Sequence, residues 1–325
     1  MSDPNSGHTE LPIPNGWFAL AFSSDLVPGD VKRIRYFDRE LVLYRGRSGE
    51  AAVLDGYCAH LGAHLGEGGR VVGDSIRCPF HGWRYDASGA CVEIPYCKRI
   101  PPRARVRAWD VVERNQMIFA WHHAEGKPPD WDVPTMPEFD DPDWTEPRRF
   151  ELEVPVHMQE MAENNCDPIH FQFVHGALEV PESSEMSYGE DGRFFRISST
   201  NRHETPAGTF EIELERDTWG IGLSSVRMKG IPNAGLLMFS STAPVDSRNA
   251  HSRWLFTVSR DMADLVGEEF IKGMSEGVLQ DIRIWKHKIH RADPVLCEAD
   301  RYLAEFRRWA RQFYSASPAQ TAQEE

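Results

Sequence analysis

The chain has 325 residues, 41% hydrophobic and 26% charged, with a formal net charge of −14 from 50 acids and 36 bases. This composition excludes disorder as the general state and suits two domains with sizeable cores, while the acidic balance disfavours sequence-independent binding to nucleic acid or an anionic membrane. No run approaches the ~18 apolar residues of a membrane span, and the polar start at residues 1–10 lacks basic and apolar leader regions, so a cytoplasmic protein is expected.

Residues 1–15 read as a flexible polar tail. From residue 16 to 125, short alternating runs are cut by turn signals. Val31–Tyr36, Glu40–Tyr44, Ala51–Leu54, Ser75–Arg77, Gly89–Ile94, Val106–Val112 and Met117–Trp121 predict the strands of an all-β domain. Residues 126–149 are rich in proline and form a linker. A second domain, 150–325, opens on the alternating run Phe150–Val156 and a helical stretch, Met158–Val174. Strands follow at Phe194–Ser199, Thr209–Asp217, Gly222–Met228, Gly235–Ser240 and Arg253–Val258. Helices over Glu268–His290 and Ala299–Tyr314 come next, and 315–325 reads as disordered. The fold class is α+β.

Six cysteines, at 58, 78, 91, 97, 166 and 297, are too few for a disulfide scaffold. Only Cys58 and Cys78 have histidines at short regular offsets; Cys91, Cys97 and Cys297 read as small core residues. Cys58-Ala-His60 and, further on, Cys78-Pro-Phe-His81 are two loops, each offering one thiolate and one imidazole. A zinc finger orders its ligands Cys-Cys then His-His. The order here suits a two-iron cluster in which one iron takes both thiolates and the other both imidazoles. Nearby Gly62, Gly66, Gly82 and Pro79 fit tight turns that bring backbone amides towards the sulfurs. His64 fits no ligand offset and reads as a packing residue. Cys58-x-His60…Cys78-Pro-Phe-His81-Gly-Trp83 resembles the signature of Rieske [2Fe–2S] domains.

The second constellation is Glu163-Asn-Asn-Cys-Asp167-Pro-Ile-His170-Phe-Gln-Phe-Val-His175-Gly176. On a helix Asp167 and His170 share a face. His170 and His175 lie about 140° apart at 3.6 residues per turn, so they converge on one ion only if the helix distorts or ends between them. Two histidines and a carboxylate with open positions make the facial triad of non-haem Fe(II) oxygenases. For the carboxylate, the helix Glu268–His290 carries an apolar stripe of Ile271, Met274, Val278, Ile282, Trp285 and Ile289. Asp281 borders that stripe, Glu276 lies on the wet face and Asp293 falls past the helix end. Asp281 is therefore the expected third ligand, against the alternative of a helix-edge acid paired with a base.

Glu163-Asn164…Asp167…His170…His175 resembles the mononuclear iron site of Rieske non-haem iron oxygenases, and the two motifs together span the chain. The stretches from Gln280 to Asp300 and Phe306-Arg-Arg-Trp309 resemble the 3-ketosteroid 9-alpha-hydroxylase oxygenase and cholesterol desaturase branch. The resemblance implies a Rieske domain followed by a helix-grip, START-like catalytic domain, an antiparallel sheet flanked by helices. It implies one [2Fe–2S] cluster on Cys58, His60, Cys78 and His81, and one mononuclear Fe(II) on His170, His175 and Asp281. Asp167 and Asn164 join the catalytic set, Asp167 reaching towards a cluster histidine of a neighbouring subunit in a homotrimer.

The implied activity is that of a terminal monooxygenase component, using O2 to hydroxylate a hydrophobic polycyclic substrate such as a 3-ketosteroid. The alternatives are an oxygenase that hydroxylates or demethylates aromatic or heterocyclic compounds, and a sterol desaturase. An electron carrier needs only the first ~120 residues, and a zinc-binding module leaves the second constellation unexplained. No strand–GxGxxG–helix fingerprint is present, so electrons must come from a separate NAD(P)H-dependent flavin/iron–sulfur reductase. Lys98, Arg99, Arg103, Arg105 and Arg107 form a basic run suited to docking it. The strands of the second domain show no cationic clamp that would demand a carboxylate on the substrate.

Overall fold

Every residue of β1 (Gly16–Phe22) is buried, so its sequence is a continuous apolar run without the alternation that marks a half-buried strand. For that reason it is missing from the expected strands. The computed structural model describes residues 11–176, 179–205, 208–231 and 234–315; the side chains of residues 201–205, 208–210, 231 and 266–274 lie outside the description. The chain divides into two compact units, Trp17–Val133 and the remainder from Pro134, which also takes the described residues before Trp17.

The first unit continues with β2 (Val31–Tyr36), β3 (Arg39–Arg45), β4 (Ala51–Asp55), β5 (Arg70–Val72), β6 (Ser75–Arg77), β7 (Arg84–Tyr85), β8 (Cys91–Glu93), β9 (Val111–Arg114) and β10 (Met117–His122). They form three antiparallel sheets in the orders β1-β10-β9, β2-β3-β4 and β5-β6-β7-β8. Asn115 and Gln116, both at positive φ, close β9 onto β10 with Arg114 opposite Met117, the two-residue turn whose twist matches a hairpin. The expected strand Val106–Val112 forms a ladder only from Val111; Ala108 makes a single bridge to Leu54 instead. The Cys58 loop joins β4 to β5, and the Cys78 loop joins β6 to β7. Tyr44, Leu54, Leu65, Ile76 and Tyr85 fill the core behind them.

The second unit contains β11 (Arg148–Val154), α1 (Met158–Ala162), α2 (His170–Phe173), β12 (Glu182–Ser183), β13 (Ser187–Tyr188), β14 (Phe194–Thr205), β15 (Gly208–Trp219), β16 (Leu223–Ile231), β17 (Ala234–Pro244), β18 (Ala250–Val258), α3 (Arg260–Trp285) and α4 (Arg301–Ala310). Its antiparallel sheet runs β11-β18-β17-β16-β15-β14-β12, with β13 also on β14. Helix α3 packs against β11, β17 and β18. Helix α4 sets Phe306 and Trp309 on Phe195 of β14, with ring centroids 5.9 and 4.8 Å apart.

Three expectations need correcting here. The single helix Met158–Val174 is interrupted: after α1 come a 3-10 turn at Glu163–Cys166 and extended backbone at Asp167, before α2. Asp167 precedes Pro168, whose ring disfavours helical backbone at the residue before it. The helix expected at Glu268–His290 starts at Arg260, because the Ser259 side chain accepts the Met262 N–H as N-cap, and it ends at Trp285. Ile289 of the predicted stripe therefore lies past its end, and the side chains of Ile271 and Met274 fall outside the described residues. Cys91 is buried as expected, but Cys97 and Cys297 are exposed: both lie in loops, Cys297 as N-cap of a short 3-10 turn.

The expected tail at 1–15 is described only from residue 11. There Asn15 donates its N–H to the Phe313 carbonyl, and His157 Nε2 lies 3.1 Å from the Pro12 carbonyl. Of the expected linker 126–149, Trp131 packs edge-on against Trp121 in the first unit, while Glu138 pairs with Arg227 in the second. The residues expected to be disordered after Ser315 lie outside the described residues. Among the described residues no helix is long and apolar enough to cross a membrane.

Candidate functional site

The two Cys/His loops of the first unit have matching backbones. Cys58 N–H donates to the Ala63 carbonyl and Cys78 N–H to that of Trp83, while Gly62 and Gly82 donate back to the Cys58 and Cys78 carbonyls. Each turn closes on a glycine in the left-handed region, Gly62 at φ 75° and Gly82 at φ 74°, where a side chain would be strained. This brings together all four predicted ligands. Cys58 and Cys78 are buried free thiols, close enough to interact. The His60 and His81 rings meet at 4.7 Å, with His60 stacked on Trp83 at 4.5 Å.

Three observations fit a cluster there. His60 Nδ1 is buried without a hydrogen-bond partner. The Phe80 and His81 amides point at the Cys78 sulfur, drawing its pKa down against the rise that burial causes. The four donors are also not among the sets whose ligand atoms all lie within 4.8 Å of one another, as a single ion would require. A two-iron cluster spaces its ligand pairs apart. Tyr85, whose hydroxyl lies 3.1 Å from Cys58 Sγ, was not singled out in the sequence. His64 is a packing residue, its Nδ1 accepting the Gly66 N–H and its ring set edge-on to Tyr57.

In the second unit His170, His175 and Asp281 present ligand atoms all within 4.8 Å of one another. The break at Asp167 and the end of α2 at Phe173 supply the distortion that convergence of the two histidines required. Each imidazole is held at Nδ1. His170 Nδ1 lies 2.5 Å from the Asp167 carbonyl, and His175 Nδ1 lies 2.8 Å from Gln280 Oε1. Both Nε2 atoms are thereby free to face a metal, with that of His175 3.3 Å from Asp281 Oδ1. Burial lowers the pKa of His170 despite the pull of Asp281 and Asp167, and the bond to Asp281 raises that of His175. Two imidazoles and one carboxylate fit a ferrous ion with open positions. Glu276 and Asp293 are both exposed.

Asp167 is placed differently from the shared helix face expected for it. Its Oδ1 accepts the N–H groups of Ile169 and His170, fixing the start of α2, and Oδ2 lies 3.8 Å from His170 Nδ1. Asn164 lines a cavity of about 490 Å³ that also takes in His170, His175 and Asp281. Leu223, Met228, Leu236 and Met238 form part of its apolar wall, whereas Leu237 and Phe239 of β17 alternate away and are core residues.

Besides Tyr85, sequence reasoning missed three features. Gln280 orients His175. Arg216 lines the cavity as a buried cation, on strands where no cationic clamp was expected. Its signal was available: in Glu213-Leu-Glu-Arg216-Asp-Thr it occupies an apolar position of an alternating strand. The third is a buried network behind α1. Glu160 bonds His290 at 2.5 Å and Lys288 at 2.7 Å, and Arg307 reaches both oxygens of Glu163 at 2.8 and 3.0 Å. Burial opposes the charge on Glu160, yet His290 and Lys288 hold its pKa below the usual carboxylate range. Glu160, Glu163 and His290 also converge within 4.8 Å, but the two carboxylates are already neutralised by Lys288 and Arg307.

A thiolate–imidazole loop pair in a small β unit, with a two-histidine, one-carboxylate set beside an apolar cavity in the other unit, defines an iron-dependent oxygenase with its own electron relay. Residues 16–109 match the Rieske [2Fe-2S] domain and residues 120–314 the 3-ketosteroid 9alpha-hydroxylase C-terminal domain. Similar curated proteins include the "3-ketosteroid-9-alpha-monooxygenase, oxygenase component" of Rhodococcus rhodochrous, 32% identical over 92% of this chain and 80% of that one. "Cholesterol 7-desaturase nvd 1" of Ciona intestinalis is 31% identical over 96% of this chain and 71% of that one. Among solved structures, dicamba monooxygenase bound to dicamba shares the fold at a TM-score of 0.76 and 19% identity, over 92% of this chain and 97% of that one. Pseudomonas putida CBB5 NdmA (QL mutant with theobromine) does so at a TM-score of 0.74 and 22% identity, over 91% and 89%. The chain belongs to the Rieske non-haem iron monooxygenases, and the cofactors of that family are a Rieske [2Fe–2S] cluster and a mononuclear iron.

Proposed function

We propose that this chain is the terminal oxygenase that hydroxylates an apolar polycyclic substrate, a 3-ketosteroid or related steroid, with electrons from a separate NAD(P)H-dependent flavin/iron–sulfur reductase. The carrying observation is the cavity of about 490 Å³, walled by Leu214, Leu223, Met228, Leu236 and Trp254, with His170, His175 and Asp281 in its lining. Its size lies within the range of small-molecule sites, and its lining suits a flat apolar ligand. The names of the steroid monooxygenase components and sterol desaturases that the chain resembles support the same class. The proposed ligands are Cys58, His60, Cys78 and His81 for the cluster, and His170, His175 and Asp281 for the mononuclear iron.

When bound, the cluster relays single electrons and the ferrous ion activates O2 for insertion of one oxygen atom into a C–H bond. The chain's own residues orient and exclude. Gln280 and the Asp167 carbonyl fix the imidazoles, Asn164 borders the substrate space, and the apolar wall keeps water from the reacting carbon. Loaded protein, a flavin/iron–sulfur reductase, NAD(P)H and a panel of 3-ketosteroids under 18O2 are expected to give products carrying one labelled oxygen, read by mass spectrometry. Conversion of aromatic or heterocyclic compounds with no steroid turned over would shift the assignment to the second class of substrate.

A homotrimer in which electrons cross between subunits fits the same reading, as does a cytoplasmic location beside an NAD(P)H-dependent partner. The Asp167 side chain is 38% exposed with only Oδ1 engaged by backbone amides, so Oδ2 can accept a donor from a neighbouring cluster loop. Those loops expose Leu61 and Phe80, apolar groups that an interface would cover. Lys98, Arg99, Arg103, Arg105 and Arg107 are all exposed and offer the reductase a basic face. His81→Ala is expected to lose the two-iron chromophore and His64→Ala to keep it. Mixing His81→Ala subunits with His175→Ala subunits is expected to restore activity that neither has alone; no recovery in verified mixed oligomers would count against transfer across the interface.

A further inference from the structure

The inner face of the second unit's sheet carries a cation that no described side chain pairs by a hydrogen bond, Asp167 acting on it only through its field. Arg216 on β15 follows Leu214 in the strand's alternation, directly opposite Ile197 of β14 and Val226 of β16. The residue is 3% exposed and lines the cavity, and its Nε, Nη1 and Nη2 are all buried without a hydrogen-bond partner. The Phe171 ring lies 5.5 Å from the guanidinium. Burial lowers its pKa to about 10, with the fields of Cys166 and Asp167 acting the other way, so Arg216 remains charged at neutral pH.

On the outer face of the same strands each cation among the described side chains is paired. Arg196 meets Asp217 and Glu215, Arg227 meets Glu138 and Asp217, and Lys229 meets Glu215. Among the described residues that line the cavity the only carboxylate, Asp281, belongs to the metal-binding set. An unpaired buried guanidinium is costly, and a ligand anion would relieve that cost.

We propose that Arg216 is the anion anchor of the substrate cavity, and that the substrate is an apolar polycyclic acid whose carboxylate pairs with this guanidinium. This rests on the reading of the cavity as a polycyclic-substrate site. A ring ketone offers one acceptor oxygen and leaves the charge uncompensated. A carboxylate offers two oxygens in the geometry of the guanidinium fork and cancels the charge. The apolar wall takes the rings, and Arg216 selects which apolar molecules enter.

The test is titration calorimetry on anaerobic protein loaded with cluster and iron, using two matched pairs: 3-oxochol-4-en-24-oic acid and its methyl ester, and 2-naphthoic acid and its methyl ester. The steroid acid is expected to bind at least tenfold more tightly than its ester, with the ratio falling to about one in Arg216→Met and staying above one in Arg216→Lys. Equal binding of steroid acid and ester to the unaltered protein would overturn the anchor, and so would a preference that survives Arg216→Met in a protein with an intact cluster spectrum. The comparison in the unaltered protein decides even if the variants fail to fold. Binding of the naphthoate pair alone, with the acid preferred, would keep the anchor and overturn the steroid reading. No binding of any of the four overturns both.

Discussion

Replacing Asp281 by alanine is expected to lower the iron content from about three to about two per chain, with the visible and EPR signatures of the cluster unchanged and turnover abolished. Asp281 is the only anionic member of its converging set, and neutral imidazoles alone bind a divalent ion without charge compensation. Gln280→Leu should act through His175. It removes the acceptor 2.8 Å from Nδ1, releasing the ring's orientation and tautomer, and a loss of about 10–100-fold in iron affinity is the usual scale for such a change. Exposed Glu276 and Asp293 serve as controls, and their alanine variants should retain all the iron. Iron analysis and EPR after desalting read all four proteins. Iron lost from Glu276→Ala or Asp293→Ala but kept in Asp281→Ala would remove Asp281 from the ligand set.

The proposed metal ligands stand out in the sequence because their residue types and spacings are unusual together. Cys58, His60, Cys78 and His81 stand out by order alone, and His170, His175 and Asp281 by their match to a facial triad. Asp281 needed one further step, the border of an apolar stripe, and that step tolerated a helix whose predicted start was eight residues late. What escaped notice depends on partners distant in sequence. Glu160 and His290 lie 130 residues apart, and no local pattern links them. Strand β1 was hidden by being buried on both faces, and the break at Asp167-Pro168 was masked by the apolar spacing on either side. Arg216 is an intermediate case. Its strand was predicted, but the meaning of an arginine at an inward position appears only once the register is read and the cavity is seen on that side.

Arg307→Leu is expected to have the second large effect, on the support beneath the site. Glu163 follows α1 directly, is 2% exposed, and begins the turn that places Asn164 and Asn165 at the cavity. Arg307 of α4 holds both of its oxygens and also donates to the Arg291 carbonyl. Removing the guanidinium leaves a buried carboxylate with Gln159 at 3.1 Å and Lys288 at 3.7 Å, the latter already committed to Glu160 at 2.7 Å. Stranding one partner of a buried pair costs roughly 3–5 kcal/mol, whereas replacing both by neutral groups of similar size is far less harmful. Glu163→Gln should therefore be the milder single change, and the double variant should recover much of the stability lost in Arg307→Leu, because no unpaired charge is left buried. Native-state hydrogen exchange over α1 and α4 reads this locally, without assuming that two units unfold together. Opening of α1 in Arg307→Leu should rise by about 10²–10⁴-fold, with substrate affinity falling and the cluster spectrum unaltered. A change in α1 exchange below about fivefold would mean that apolar contacts of Phe306 and Trp309 hold α4 in place, and that the charged network contributes little to positioning Asn164.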